Sequence, residues 1–376
     1  MINSERLLQT FLELAQIDSP TGDEEKMAQE SLGRLKGFGL NPFIDQYFNV
    51  ISQIPGNKNY EPIILNAHLD TVKPGVNIKP LITDGLIHSN GKTIAGIDDK
   101  VGIAAILETI ETLHGTNYSN NRPLDVVFTV HEESKTDGPR LLDYSKIRTK
   151  RGYSFDGAQP VGTISLASPF YNRFDFLVSG KEAHSSRPDQ ALNALSLTLD
   201  ALSRVKAGQL DDDSVRNIRI ADAQIQSDKN APFGLDVSVN KITGSMVGMG
   251  EVRSFVEKKV ESYTEDVKTA FMSAISDSEE PYKLDFRSVR ENGGFKYEQT
   301  DPFVQETVRI IEKLGIKPEF FYGFSCYDAN VFAEMGVQII NCCLGSEFHH
   351  TTREKITVEN FNRLGNLVYA LATDLG

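Results

Sequence analysis

The chain has little cysteine, and its cysteines do not form a framework. The 376 residues include only Cys326, Cys342 and Cys343, an odd number without the paired spacing of a disulfide scaffold or a structural zinc site. This usage favours a reducing compartment, so we expect a cytoplasmic protein. The thiols are interpreted as buried or bystander side chains.

Positive charge and long apolar runs are also scarce. There are 39 Lys and Arg against 52 Asp and Glu, a formal net charge of -13. This balance argues against nucleic acid or an anionic membrane as a partner, and bound divalent cations can neutralise part of it. No apolar run approaches the ~20 residues of a transmembrane helix. The N-terminal segment has no basic stretch followed by an apolar core, so no signal peptide is predicted.

The chain is longer than an ordinary domain with a single hydrophobic core, so two domains are expected. The pattern of predicted elements changes near residue 171. Before that point, short apolar runs alternate with helical segments, as in the strand 63–65, the helix 99–114 and the strand 125–130. This alternation predicts an α/β fold, a mostly parallel central sheet flanked by helices, built from residues 1–171 and 292–376.

Residues 172–291 follow a different order, β-α-β-β-α-β, which predicts an inserted α+β domain of ferredoxin-like type. Within it we expect strands at 173–178, 217–226, 235–240, 250–253 and 283–289, and helices at 188–206 and 255–275.

His68 and Asp70 lie just beyond the apolar run 63–65. Ligands of open α/β sheets bind beyond the carboxyl ends of strands. A spacing of two places both side chains on one side if the chain stays extended. His68 can therefore bind a metal while Asp70 orients its other ring nitrogen. A loop histidine beside an N-capping aspartate is the alternative.

Asp98 and Asp99 precede the predicted helix 99–114. One aspartate is a common helix N-cap, but two in succession exceed what a cap requires. A carboxylate with two oxygens can bridge two cations. Asp98 is the candidate bridge, and Lys100 can act as a local counter-charge.

Glu132 and Glu133 follow the strand 125–130. Adjacent carboxylates repel each other when close and unpaired, and a metal on one of them removes the problem. The other can hold a water molecule at the metal and take its proton. Neighbouring strand residues point to opposite sides, so two different roles are expected. A solvated surface turn is the alternative.

Two further candidate ligands follow apolar runs. Asp156 comes after residues 153–155, and His350 lies in the loop after residues 337–342. Mixed imidazole and carboxylate ligands suit Zn²⁺ well, and Co²⁺ or Mn²⁺ less selectively. Together these motifs can supply two metal ions and one general base.

With these motifs in this order, the chain resembles the dizinc family of peptidase T, succinyl-diaminopimelate desuccinylase, acetylornithine deacetylase and glutamate-releasing carboxypeptidases. The peptidase T and tripeptidase-like branch is the most similar, and the resemblance covers essentially the whole chain. It implies one set of roles: His68 and Asp156 on one metal, Glu133 and His350 on the other, Asp98 as the bridge, Glu132 as general base and Asp70 as the orienting acid. The family's H-[ST]-x-x-E pattern selects His350 over His349.

The inserted domain resembles the family's lid and dimerisation domain. The segment GKEAHS at 180–185, followed by Asn193, implies that His184 stabilises the tetrahedral oxyanion, often from the neighbouring subunit, and that Asn193 belongs to substrate binding. The segment GEVRSF at 250–255 implies that Arg253 grips a substrate carboxylate, for which its forked guanidinium is suited. A helix-entry histidine and an arginine on a strand edge are the alternatives. A homodimer through this domain is compatible with the resemblance.

Three stretches depart from the family pattern. SKTDGP at 134–139 replaces an apolar Val-Gly-Leu-x-Gly run, SCY at 325–327 replaces small residues, and LGSEF at 344–348 replaces a glycine-rich approach to the histidine. These departures remove no predicted ligand, so they bear on substrate preference more than on chemistry.

The sequence thus predicts a cytoplasmic dizinc aminopeptidase that acts on short peptides, most of all tripeptides. A dizinc deacylase of N-acyl amino acids, which needs the same metals and base, is the nearer alternative. A non-catalytic metal-binding relative of the same fold is another, and the intact Glu132 argues against it.

Overall fold

The computed structural model describes residues 2–223, 226–227, 235–236 and 239–374. In this part of the chain the helices are α1 (Ser4–Ala15), α2 (Glu25–Gly37), α3 (Ile97–His114), α4 (Glu132–Lys135), α5 (Asp137–Arg140), α6 (Ala194–Ser203), α7 (Glu257–Ser278), α8 (Pro302–Lys313), α9 (Asp328–Glu334) and α10 (Val358–Thr373). The strands are β1 (Phe43–Ile44), β2 (Val50–Ile54), β3 (Ile63–His68), β4 (Leu81–Thr83), β5 (Leu86–His88), β6 (Leu124–Thr129), β7 (Arg151–Phe155), β8 (Thr163–Ser168), β9 (Phe170–Ser179), β10 (Ala183–His184), β11 (Gly208–Asp211), β12 (Ser214–Asp222), β13 (Gln226–Ser227), β14 (Leu235–Asp236), β15 (Lys241–Ile242), β16 (Ser245–Ser254), β17 (Lys283–Asn292), β18 (Phe295–Lys296), β19 (Glu319–Tyr322), β20 (Gln338–Cys342) and β21 (Lys355–Thr357).

The chain forms two compact units. The first comprises Met1–Ser168 and Phe295–Gly376, and the second is the insertion Pro169–Gly294. The boundaries expected from the sequence, near residues 171 and 292, lie a few residues from these. No helix of the described residues combines the length and apolar composition needed to cross a bilayer.

The central sheet of the first unit is mixed. Its strand order is β1-β2-β6-β3-β7-β20-β8-β18, and β19 also pairs with β8. The four central strands β6, β3, β7 and β20 are parallel, whereas β2 and β8 join them antiparallel. The α/β class is confirmed, with the parallel arrangement limited to the centre and the β19 edge. The short connection between β7 and β8 explains the reversal, because a parallel crossover needs a dozen or more residues.

The central strands have nearly continuous apolar sequences because both faces of the sheet are buried. Every residue of β3 and β6 is buried, as expected for parallel strands between layers of helices. Helix α1 packs against α3 and α10 and buries Leu7, Phe11 and Leu14. The Asn3 side chain accepts hydrogen bonds from two backbone amides at the start of α1, a cap worth about 1 kcal/mol.

The second unit is a sheet with two helices. Its strand order is β11-β12-β16-β9-β17 with antiparallel neighbours, and α6 and α7 enclose a core that includes Phe174, Phe176 and Phe271. The elements β9, α6, β12, β16, α7 and β17 follow the predicted β-α-β-β-α-β order, and the sheet has one strand more, β11, between α6 and β12. Helix α6 is shorter than the predicted 188–206, because the Asn193 side chain caps it at Ala194. Parts of the strands predicted at 217–226 and 235–240 lie outside the described residues.

Candidate active site

The predicted site residues of the first unit meet at one edge of its central sheet. His68 closes β3, Glu132 follows β6, Asp156 follows β7, and His350 lies in the loop beyond β20. These four strands are parallel, so their carboxyl ends face the same side, where α/β proteins bind ligands. Asp98 reaches the same edge from the start of α3, where Gly96 adopts a left-handed backbone conformation (φ 71).

Asp98 lies at the centre of this cluster. Its Oδ1 is 3.1 Å from Nε2 of His68, and its Oδ2 is 3.2 Å from Nε2 of His350. The same His350 nitrogen lies 3.0 Å from Oε2 of Glu133. The two carboxylate oxygens of Asp98 thus face different histidines, an arrangement that suits a ligand shared by two cations.

Three groups of side chains bring potential ligand atoms within 4.8 Å of one another: His68, Asp98 and Asp156; His68, Glu132 and Glu133; and Asp98, Glu133 and His350. The first and third groups correspond to the two metal sites that the family resemblance implied. All five predicted ligands are therefore adjacent, with Glu132 beside them. Their individual roles stay predictions.

The chemistry of these donors fits divalent cations. Oε1 of Glu133 is buried and has no hydrogen-bond partner among the described residues, which is costly for a carboxylate unless a cation binds it. The Nδ1 atom of His68 lies 3.0 Å from the backbone oxygen of Asp70. A proton on Nδ1 leaves the lone pair on Nε2, the nitrogen that faces Asp98.

The carboxylates of the cluster are hard to ionise together. Burial, reinforced by the charge of Asp156, raises the pKa of Glu132 well above its usual range. Burial and the charge of Asp98 raise the pKa of Asp156 to about 8. Hydrogen bonds to Asp98 and Glu133 raise the pKa of His350 to about 10. Without cations, carboxyl groups and imidazoles of this cluster therefore both retain protons at neutral pH.

Asp70 has a second role beside the one predicted for it. Its carboxylate accepts hydrogen bonds from the backbone amides of Glu132 and Glu133, at 2.9 and 3.1 Å, and from the Thr21 hydroxyl at 2.8 Å. Its contact with His68 is made by the backbone oxygen at 3.0 Å, and Oδ1 is more distant at 3.4 Å. Asp70 thus positions the acid pair as well as the histidine.

Glu354 and Asp99 support the segments that carry the candidate ligands Asp98 and His68, and neither residue was assigned a role from the sequence. The buried Glu354 carboxylate accepts hydrogen bonds from the amides of Ala95, Gly96 and Asp98, at 2.7, 2.9 and 2.9 Å. The Asp99 carboxylate accepts one from the His68 amide at 3.1 Å. The H-[ST]-x-x-E pattern was the available signal for Glu354.

Two more residues belong to the site and were not predicted. Asp328 at the start of α9 is buried and accepts hydrogen bonds from the Thr129 hydroxyl and the Asn66 amide. Burial raises its pKa to about 6. His349, passed over in favour of His350, places Nδ1 2.9 Å from Oδ2 of Asp98. The segment at 325–327, which departs from the family pattern, directly precedes Asp328. The sequence alone does not mark Asp328 or His349 as a residue of the site.

The remaining predicted residues belong to the second unit. His184 is exposed, and its Nδ1 lies 2.8 Å from the Ser186 hydroxyl. Asn193 caps α6 with its side-chain oxygen. Arg253 stacks 4.5 Å above the Tyr171 ring and forms an ion pair with Glu251 at 3.1 Å. Their proposed roles in catalysis and substrate binding stay predictions.

Comparison with known proteins identifies the class. Residues 64–374 match the model of peptidase family M20/M25/M40, and the chain belongs to this family. It is 31% identical to an aminopeptidase PepT from Bacillus cereus, with a TM-score of 0.89 over 99% of this chain and 98% of that one. A tripeptidase from Staphylococcus aureus is 27% identical, with a TM-score of 0.91 over 99% and 98%. An uncharacterized protein of Bacillus subtilis, YqjE, is 30% identical over 99% of this chain and 98% of its own length. The predicted resemblance to the peptidase T branch is confirmed.

Proposed function

We propose that this protein is a dizinc aminopeptidase that releases the N-terminal residue of short peptides, most of all tripeptides. The observation that carries the proposal is the pair of ligand groups that share Asp98, one with His68 and Asp156 and the other with Glu133 and His350. Membership of the peptidase family and the similarity to an aminopeptidase and a tripeptidase support it.

Zn²⁺ is the proposed metal, and Co²⁺ or Mn²⁺ could occupy the same ligands. Bound there, two divalent cations would polarise the scissile carbonyl and lower the pKa of the attacking water. Glu132 takes the proton of that water and passes it to the leaving amine. Its position suits this, because the hydrogen bond from its backbone amide to Asp70 fixes the turn that presents its carboxylate.

Two residues of the second unit complete the proposal on the strength of the family resemblance. His184 would stabilise the oxyanion. Arg253 would bind the peptide's carboxylate and so limit its length, with the carboxylate replacing Glu251 as its partner. A homodimer through this unit and a cytoplasmic location remain part of the proposal.

The test is a hydrolysis panel of di-, tri- and tetrapeptides and acetylated amino acids, each with and without a chelator. We expect tripeptides to be cleaved fastest, with the N-terminal residue as the first product, and activity to disappear with the metal. Activity that survives complete metal removal contradicts the mechanism. Faster cleavage of acetylated amino acids would favour the deacylase instead.

A further inference from the structure

The turn that carries the acid pair is held by side chains from other parts of the chain. Residues 130–133, here called the acid-pair turn, directly follow β6 and contribute four consecutive backbone amides that each donate a hydrogen bond to a side-chain oxygen. The acceptors are Asn49 for Val130 at 3.0 Å, Glu24 for His131 at 3.2 Å, and Asp70 for Glu132 and Glu133 at 2.9 and 3.1 Å. Backbone carbonyls usually accept such bonds in helices and sheets, so the path of this turn depends on side chains instead.

His131 is the residue of this turn that most needs a fixed partner. Its backbone is left-handed (φ 58), a conformation that residues with a Cβ rarely adopt and that persists where the surroundings enforce it. The partner of Glu24 is the His131 amide and not its ring, because Nε2 lies 3.6 Å from Oε1 of Glu24, beyond hydrogen-bond distance. The bond from the amide therefore stabilises the bend in the chain just before Glu132.

The helix that follows Glu24 does not explain why a buried acid is present there. Glu24 occupies the N-cap position of α2, yet in the described structure its side chain does not cap that helix. It is only 3% exposed, and burial together with the charge of Asp70 raises its pKa. Its Oε1 accepts hydrogen bonds from the amide of Gly22 at 2.9 Å and from that of His131, 107 positions away. The long-range bond gives this costly side chain a reason to be buried.

We propose that Glu24 is a positioning residue of the active site, which holds the acid-pair turn through the His131 amide and so aims Glu132 and Glu133. The inference rests on the proposed function for the roles of those two acids. A single oxygen of Glu24 accepts both of its hydrogen bonds, so the acceptor is required and the negative charge is not. Glutamine can supply that oxygen, whereas methionine, of similar length, cannot.

The first test compares kcat and KM for tripeptide hydrolysis in three variants. Glu24→Met should lower kcat by about 10–100-fold, as expected when a group that orients catalytic residues is lost, and should change KM less. Glu24→Gln should retain most of the wild-type kcat. Glu25→Met, which makes the same replacement at the neighbouring exposed acid, is the control for lost charge and should retain it as well. If Glu24→Met does not fold, Glu24→Asp, whose carboxylate is one carbon shorter, takes its place.

A second-site change separates the His131 amide from the Gly22 amide. Glycine adopts the left-handed conformation without the penalty of a Cβ. His131→Gly in the Glu24→Met background should therefore recover kcat severalfold, because the bend no longer depends on the missing acceptor. A role of Glu24 that acts only through Gly22, or only on overall stability, predicts no recovery, and that result would overturn the assignment.

Hydrogen exchange of the metal-free protein provides a measurement that does not depend on activity. Peptides that contain residues 130–133 should exchange faster in Glu24→Met than in the wild type, and at the wild-type rate in Glu24→Gln. Competition with a chromophoric chelator should show weaker Zn²⁺ binding in Glu24→Met, since Glu133 is a proposed ligand.

The outcomes distinguish this inference from the proposed function. Unchanged kcat or unchanged exchange in Glu24→Met overturns the inference and leaves the proposed function intact. Equal losses of kcat in Glu24→Gln and Glu24→Met also overturn it, because the charge and not the acceptor would then be required. If the wild-type protein cleaves no peptide, the proposed function fails, and the exchange rates and Zn²⁺ affinities alone decide whether Glu24 holds the turn.

Discussion

The carboxylate of Asp70 accepts a hydrogen bond from the backbone amide of Glu132 at 2.9 Å, and its other oxygen accepts one from the amide of Glu133 at 3.1 Å. The same residue contacts His68 through its backbone oxygen at 3.0 Å. Asp70 thus connects the loop after β3 with the turn after β6, through its backbone oxygen to His68 and through its carboxylate to the acid pair. The proposed base and two proposed metal ligands are positioned by this one residue.

Asp70→Asn should therefore weaken the positioning of the acid pair, while the backbone contact with His68 is retained. The amide keeps one acceptor oxygen but presents an NH₂ group to a backbone amide, so at least one bond to the acid pair is lost. We expect metal affinity or kcat to fall by about 10–100-fold. Thr21→Val is the matched control, since it removes only the hydroxyl bond to Asp70 and should have a smaller effect. Equal losses in the two variants would contradict the positioning role.

Glu132→Gln should separate turnover from metal binding. Because Glu132 is the proposed base and not a proposed ligand, the variant should keep two metals per chain while kcat falls by about 10²–10⁴-fold. Elemental analysis and peptide hydrolysis measure the two quantities. Glu359→Gln, which changes an exposed acid on α10, is the control for charge alone. Full activity in Glu132→Gln would refute the assignment.

Apart from Asp98, which lies at the start of a helix, the positions of the proposed ligands were predictable because each follows an apolar run, and parallel strands bring such positions together. The hydrogen bonds that support these ligands were not predictable, because they join distant parts of the chain. Glu354 and Asp98 are 256 positions apart, and Asp328 and Asn66 are 262 apart. Strand β8 also escaped prediction. Half of its residues, TISLAS, are polar and it contains no apolar run longer than two residues, yet all six residues are buried.

Metal affinity should rise with pH. Metals bind deprotonated ligands, and in the metal-free chain the pKa of Asp156 is raised to about 8 and that of His350 to about 10. Between pH 6 and 8, binding must therefore displace protons, and the dissociation constant should fall by up to about tenfold per pH unit for each proton released. Titration calorimetry in buffers of different ionisation enthalpy counts these protons. A pH-independent affinity with no proton release would contradict the clustered arrangement.

The metal-free protein should become less stable as pH rises. The pKa of Asp156 is raised in the folded chain from an ordinary 3.8 to about 8, so the folded state binds the extra proton between these values. That contribution to stability is fully present below about pH 4 and is lost as pH rises through about 8. His350, raised from 6.5 to about 10, acts in the same direction over a higher range. Thermal unfolding in chelator from pH 6 to 9 should show a falling Tm, and Asp156→Asn should flatten the slope below pH 8.

Glu354→Gln tests how the loop that carries Asp98 is held. The wild-type carboxylate uses one oxygen for the amides of Ala95 and Gly96 and the other for the amide of Asp98. Glutamine can accept with one oxygen only, so at least one buried amide loses its partner at a cost of about 1–3 kcal/mol. We expect a lower Tm in the metal-free protein and weaker metal binding, because Asp98 is the proposed bridge. Glu347→Gln, an exposed acid of the neighbouring loop paired with Lys355, should change neither. If metal affinity is unchanged in Glu354→Gln while Tm falls, Glu354 supports the fold and not the geometry of the ligands.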